Sequence, residues 1–257
     1  MSTGPRPWLQ QHWDIRAALN FMLGGTGAGL MIVSSLPGRE DSYVILVSLG
    51  LVAAGLGAVW LEIGRKLRAL HVFLNPLTSW MTRESFAALL LFPLGLGAFL
   101  AAKFLPAAAL AAVVFLYCQA RILHGAKGIP AWRAPEVVPL VVLTGLAEGA
   151  GALVLFSVQP PVLAVLGIAV VARALAWMRY RAAVRSAALE PAGRSLAWIG
   201  SVAVLALAGA GLYVAEAAYL AGLAAIATGW HFKLALVTRA ALNQGFALPR
   251  LPVRGTR

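Results

Sequence analysis

The chain has 257 residues, of which 61% are hydrophobic and only 12% charged, with a mean hydropathy of +0.83 and a formal net charge of +12. A soluble domain is roughly 45–50% apolar and about 25% charged, and a globule in water cannot hide this much apolar surface, so a water-soluble fold is excluded. The single cysteine, Cys118, excludes an intrachain disulfide, a cysteine-ligated iron–sulfur cluster and a structural zinc site, each of which needs several thiolates.

Residues 1–14 are polar and lack the apolar core and small-residue cleavage site of a removable signal, so insertion is expected to start with the first span. A membrane-crossing helix needs about 20 mostly apolar residues. Eight stretches qualify: Ile15–Leu36, Ser42–Ile63, Glu84–Ala102, Leu105–Leu123, Glu136–Val158, Pro161–Met178, Leu196–Ala215 and Ala217–Val237. The apolar runs are continuous rather than alternating, which selects helices over a barrel. The expected fold is therefore an all-α bundle of eight transmembrane helices in one membrane domain.

Connections at Lys103–Phe104, Gln159–Pro160 and Glu216 are short, whereas those at 64–83, 125–135 and 179–195 are long and share one side with both termini. Of the 21 Lys and Arg residues, all but Arg39 and Lys103 lie on or near this long-loop side. The positive-inside rule places that side in the cytoplasm. The basic charge is thus read as a topology signal, and no nucleic-acid partner is expected. Trp60, Trp80, Trp132, Trp177, Trp198 and Trp230 fall near the same boundary, as interfacial aromatics do.

Within the first span, Gly25 and Gly29 form a G-x-x-x-G pair that permits close helix approach. Glu148 lies halfway along the fifth span; an ionisable group at that depth is a functional candidate, here a proton relay, with an interhelical hydrogen bond as the plain alternative. A second polar group gathers near the long-loop ends of the helices: Asn20, Glu62, Arg121, His124, Arg173, His231 and Lys233. The loop after the second span adds Arg65, Lys66, Arg68, His71, Asn75, Ser79, Trp80, Arg83 and Glu84. Donors, proton-exchanging groups and apolar walls together are what a quinone site requires. The bland alternative is that these cations snorkel to the interface and pair with the acids. No metal ligand set is expected, and no haem, since of His12, His71, His124 and His231 two lie outside the spans.

Three ordered segments carry a family resemblance. They are Asn20-Phe-Met-Leu-Gly-Gly-Thr-Gly-Ala-Gly-Leu30; Gly64-Arg-Lys-Leu-Arg-Ala69 running into Leu74-Asn-Pro-Leu-Thr-Ser-Trp-Met-Thr-Arg-Glu84; and Gly128-Ile-Pro-Ala-Trp132. Together with the eight-span layout they resemble the membrane-anchor subunits of dimethyl-sulfoxide-reductase and polysulfide-reductase type molybdenum enzymes. The resemblance implies a non-catalytic anchor in a bacterial or archaeal cytoplasmic membrane. Its partners would be a ferredoxin-like iron–sulfur subunit and a large subunit with a molybdenum or tungsten bis-pterin cofactor. It also implies a site for menaquinone or ubiquinone in this chain, for which Asn20, Glu62, Arg68, His71, Trp80, Arg83 and His124 are the candidates. Arg65, Lys66 and Trp132 are the candidates for docking the partners.

Two departures from the family stand out. Where the dimethyl-sulfoxide-reductase branch reads His-Leu-Gly-x-Pro, this chain reads Glu62-Ile-Gly-Arg-Lys66, so a glutamate replaces the quinol-associated histidine and His71 is the candidate substitute. Respiratory anchors of that branch also carry their catalytic subunits outside the cytoplasm, opposite to the side the charge indicates here. A cytoplasm-facing complex, such as the phenylacetyl-CoA-oxidising type suggested by Trp13-Asp-Ile-Arg-Ala17, is the expectation. The rival from another class is a small secondary transporter coupled through Glu148, and a further rival is a purely structural anchor.

Overall fold

The computed structural model describes residues 7–36, 42–63 and 66–244, with the side chains of 66–68 outside the description. Eight helices in it are long and apolar enough to cross a membrane. They are α1 (Ile15–Ser34), α2 (Ser42–Glu62), α3 (Trp80–Leu100), α4 (Ala102–Gly125), α5 (Val137–Val154), α6 (Pro160–Ala183), α7 (Ala187–Ala210) and α8 (Ala215–Arg239). No strand occurs among the described residues beyond a single bridge between Leu9 and Leu242. An apolar solvent offers the backbone no hydrogen bonds, so each segment satisfies its amides internally as a helix.

The ends of the helices have local causes. Asp14 caps α1 by accepting the Arg16 amide at 2.7 Å, and Arg16 bonds back to its carboxylate. Ser79, in extended conformation, accepts the Thr82 amide and starts α3 at Trp80, four residues before the predicted Glu84. That shift puts Glu84 inside the membrane helix. Prolines stand in the first turn of α6, where a missing N–H costs nothing.

Helix α1 is the centre of the bundle. In its span 83% of the residues are buried within the protein, against 33% in α2 and α3. It packs on α2, α4, α5 and α8. A Cβ built at Gly29 would lie 2.0 Å from the Gly145 carbonyl oxygen, and one at Gly149 would lie 2.1 Å from the Gly29 carbonyl carbon. Backbone thus rests on backbone where α1 crosses α5, which only small residues allow. The other glycine of the expected pair, Gly25, has a different task described below.

At the long-loop end an aromatic cluster closes the bundle. Trp13 stacks on Trp132 with centroids 4.9 Å apart, and Trp177, Tyr180 and Phe232 pack edge to face or tilted nearby. Each polar tip is satisfied: Trp132 Nε1 donates to the Leu236 carbonyl at 2.8 Å, and the Tyr180 hydroxyl donates to the Ala131 carbonyl at 2.8 Å. The described ends of the chain meet here, with Gln10 bonded to Ala241 and Asn243 to Trp8. Both ends therefore share one face, as an even number of crossings requires.

Candidate functional site

Three helices contain π-helical turns: Asn20–Gly24 in α1, Trp198–Ala203 in α7 and Ala235–Arg239 in α8. A π-turn widens the helix and shifts its hydrogen-bond register, and such turns favour functional positions. In every one of them, backbone carbonyls accept from side chains on other elements. Asn20 O accepts from Gln119 Nε2 at 2.9 Å, Phe21 O from Lys233 Nζ at 2.9 Å, and Gly200 O from Arg173. Leu236 O, as above, takes Trp132. The irregular backbone is what lets long polar side chains be satisfied inside an apolar bundle.

A cavity of about 370 Å³ opens between α1, α2, α3 and α4 at the long-loop end. Its walls include Phe21, Leu56, Trp60, Val72, Met81 and Ile122, and its polar groups are His12, Asn20, Glu62, Glu84 and Ser85. Glu84 is only 5% exposed, and its Oε1 accepts from Asn20 Nδ2 at 3.1 Å. Asn20 Oδ1 is buried without a hydrogen-bond partner. The cavity has the size and the mainly apolar, sparsely polar lining of a small-molecule site.

Deeper in the membrane lies a sealed ion pair. Lys233 Nζ sits 2.6 Å from Glu148 Oε2, with exposures of 1% and 0%. Thr26 Oγ1 is 2.8 Å from the same carboxylate oxygen and 2.8 Å from Met22 O, and it accepts from Trp230 Nε1 at 2.9 Å. A hydroxyl has one proton, so Thr26 can donate to Glu148 or to Met22 but not to both. Its orientation is therefore tied to whether Glu148 carries a proton. The other carboxylate oxygen, Glu148 Oε1, has no partner. Gly25 makes room for this arrangement: a Cβ there would lie 2.5 Å from Lys233 Nζ. A third buried ionic group, Arg173, donates to Ala225 O at 3.1 Å and to Gly200 O, and its Nε has no partner.

The two polar regions are neighbours. Gln119 donates to Asn20 O, while its Oε1, also without a partner, lies 3.5 Å from the position a Gly25 Cβ would take, beside Lys233. At about 1.5 Å per helical residue, Glu84 lies about 6 Å from the start of α3 and Glu148 roughly 16 Å from the start of α5. Polar groups thus run from the cavity to mid-membrane through Asn20, Gln119 and Lys233.

The structure distributes the expected site residues unevenly. Asn20 and Glu62 line the cavity; His71 is not among its lining residues, though its neighbour Val72 is. Trp80 lies outside it, between the guanidinium groups of Arg83 and Arg121. Arg83 donates to the Pro76 and Leu77 carbonyls, and His124 faces Lys127 at 3.3 Å. Trp132 is 2% exposed, so its ring serves packing in this chain. Arg65 and the side chains of Lys66 and Arg68 lie outside the described residues. Glu148 is at mid-membrane as expected, with an ionic partner that spacing alone does not reveal.

Two members of the polar run escaped the reading of the sequence: Gln119, absorbed into an apolar span, and the pairing role of Lys233. The rule that intramembrane polar residues are functional candidates applies to Gln119 and is the signal that points to it. Among the described residues no group of three or more His, Cys, Asp or Glu side chains could hold a metal ion. Comparison of the chain with protein-family models and with characterised proteins finds no match.

Proposed function

We propose that this chain is the membrane anchor and quinone-interacting subunit of a molybdenum- or tungsten-dependent, iron–sulfur oxidoreductase, with its long loops in the cytoplasm. The observation that carries this reading is the cavity enclosed by α1, α2, α3 and α4, where a nearly buried carboxyl stands at the edge of an apolar chamber. The residues present fit a quinone head group. Asn20 Nδ2 holds the Glu84 carboxyl at the chamber wall, and Glu84 and Glu62 are groups that can exchange protons. Trp60, Leu56 and Phe21 supply ring-sized apolar walls. A bound quinone would contribute two-electron, two-proton carbonyl chemistry. This chain's part is to hold the head group, exclude bulk water and move protons at the Glu84 carboxyl.

The test begins with isolation from native membranes in mild detergent. Co-purifying pterin and iron–sulfur subunits, with molybdenum or tungsten and iron in defined ratio, are expected. In that complex Glu84→Gln should lower quinone-dependent turnover by about a hundredfold, the usual order for loss of a proton-transfer group. Unchanged turnover would remove Glu84 from the reaction, and a chain that purifies alone and metal-free would overturn the anchor reading. Reporters fused after Pro130 and after Arg39 test orientation, the first expected inside and the second outside.

A second reading is favoured by one observation, the Glu148–Lys233 pair at mid-membrane. Ion-coupled secondary transporters place ionisable groups at that depth. Proton-driven solute uptake into proteoliposomes that Glu148→Gln abolishes would establish it.

A further inference from the structure

Outside the cavity, on the lipid-facing side of α3 and α4, the structure gathers cations around one aromatic ring. The Arg83 guanidinium lies 4.2 Å from the Trp80 ring centroid and that of Arg121 lies 4.4 Å from it. Arg121 is also 3.0 Å from the Tyr117 hydroxyl, and Lys127 stands at the end of the same helix beside His124. Among the described residues, neither arginine and no group on Lys127 has a carboxylate partner. The nearest acid in sequence, Glu84, is turned inward to Asn20. Arg121 Nε is shielded from solvent and has no hydrogen-bond partner. The positive charge assembled here is answered by ring faces and carbonyls, not by an anion.

We infer that this cluster binds the phosphate of an anionic phospholipid, whose acyl chains lie along the seam of α3 and α4. Depth argues for a lipid over an acidic protein. Arg83 is three residues inside α3 and Arg121 four residues inside α4, so both sit about 5 Å below the helix ends, where lipid phosphates and glycerols are found. The helix periodicity then continues each cation into exposed apolar surface. Phe86 and Leu90 follow Arg83 on one face of α3, and Tyr117, Val114 and Leu110 precede Arg121 on one face of α4. All five are exposed, from 39% at Phe86 to 65% at Leu110. These helices pack on each other, so the two apolar strips descend side by side from one cationic head. Basic pockets on the cytoplasmic side of transmembrane helices recognise anionic head groups in this way. The inference stands independently of the quinone reading.

The probe is phosphatidylglycerol, with phosphatidylcholine of the same chains as the neutral comparison. Native mass spectrometry of the detergent-solubilised chain, titrated with each lipid, gives the affinity. Removing two interfacial cations by Arg83→Gln with Arg121→Gln should weaken phosphatidylglycerol binding roughly thirtyfold. The same loss of charge at Arg181, in the last turn of α6, and at Arg185, two residues past its end, should leave it nearly unchanged. Equal weakening by both pairs would show bulk charge attraction and overturn the site. So would binding of phosphatidylcholine as tight as that of phosphatidylglycerol. Should the double variant not fold, a photoactivatable phosphatidylglycerol on the unaltered chain decides: adducts on 83–90 and 110–121 support the site, and adducts elsewhere or at the level of the choline lipid refute it.

Discussion

Glu84 and Glu148 are both carboxyls buried in the bundle, yet their surroundings divide them. Glu84 stands at the rim of a cavity, with a neutral amide as its hydrogen-bond donor. Glu148 is sealed at mid-membrane against an ammonium group and a hydroxyl. A carboxyl beside neutral donors can gain or lose a proton without leaving a partner charge stranded. A carboxylate facing a buried ammonium cannot, because neutralising one member leaves the other uncompensated in low dielectric. The first arrangement suits exchange with a ligand; the second ties any protonation to movement of Lys233 or of the Thr26 hydroxyl.

That contrast can be broken most forcefully at the ion pair. Glu148→Leu or Lys233→Met alone should destabilise the bundle by about 3–5 kcal/mol, the cost of an unpaired buried charge. The double change to Leu and Met should cost far less than the sum of the two. Thermal unfolding of the four proteins in one detergent measures this as a double-mutant cycle, and additive losses would mean that the two side chains do not act as a pair.

At the cavity the signature should be reversed. Glu84→Gln keeps the shape and a hydrogen-bonding head, so unfolding should move by no more than about 1 kcal/mol while quinone-linked turnover in the complex collapses. A large stability loss with normal turnover would exchange the roles assigned to the two carboxyls.

Between them, Gln119 should behave as a connector. Gln119→Leu removes the buried side-chain donor to Asn20 O, costing about 1 kcal/mol. Restoration by Gln119→Glu, which has no amide donor when ionised, is not expected. The melting temperatures of the two variants, side by side, check it.

The smallest effect is expected at the surface. The Arg16 side chain, bonded to the Asp14 carboxyl, holds that acid below its ordinary value. Its support of the α1 cap is therefore present above the unfolded-state value, about 4, and fades as pH falls through the lowered folded value. Asp14→Asn should slightly flatten the acid limb of a stability–pH profile and leave neutral stability almost unaltered. A pronounced loss at pH 7 would show that the charge, and not only the capping oxygen, holds this helix end.

The reading of the sequence located all eight helices that, among the described residues, are long and apolar enough to cross a membrane, because a bilayer-length apolar run has few alternatives. It erred at helix ends, most at α7, which begins at Ala187 and not Leu196, so that the expected long connection at 179–195 is only 184–186; at α3 the Ser79 cap moved Glu84 from a boundary into the membrane. The G-x-x-x-G pair was visible as a motif, but not that Gly29 meets Gly145 and Gly149 while Gly25 clears space for Lys233. Asn20 and Glu62 were legible as site candidates because polar groups near span ends are conspicuous. The separation of Trp80 and Arg83 from the cavity was not, since adjacent helical residues point in different directions around the axis.

What the sequence by itself determined is therefore the solvent this chain lives in, the number of its crossings and the asymmetry of its charge. Those follow from composition and from the length of apolar runs, which are local properties. Only the tertiary structure decided that the first helix is central, that Lys233 answers Glu148 across 85 positions of sequence, and that π-helical turns release carbonyls to buried cations. Partner choice between helices depends on how their faces rotate and approach, and a hydropathy pattern with apolar residues on every side carries little record of rotation.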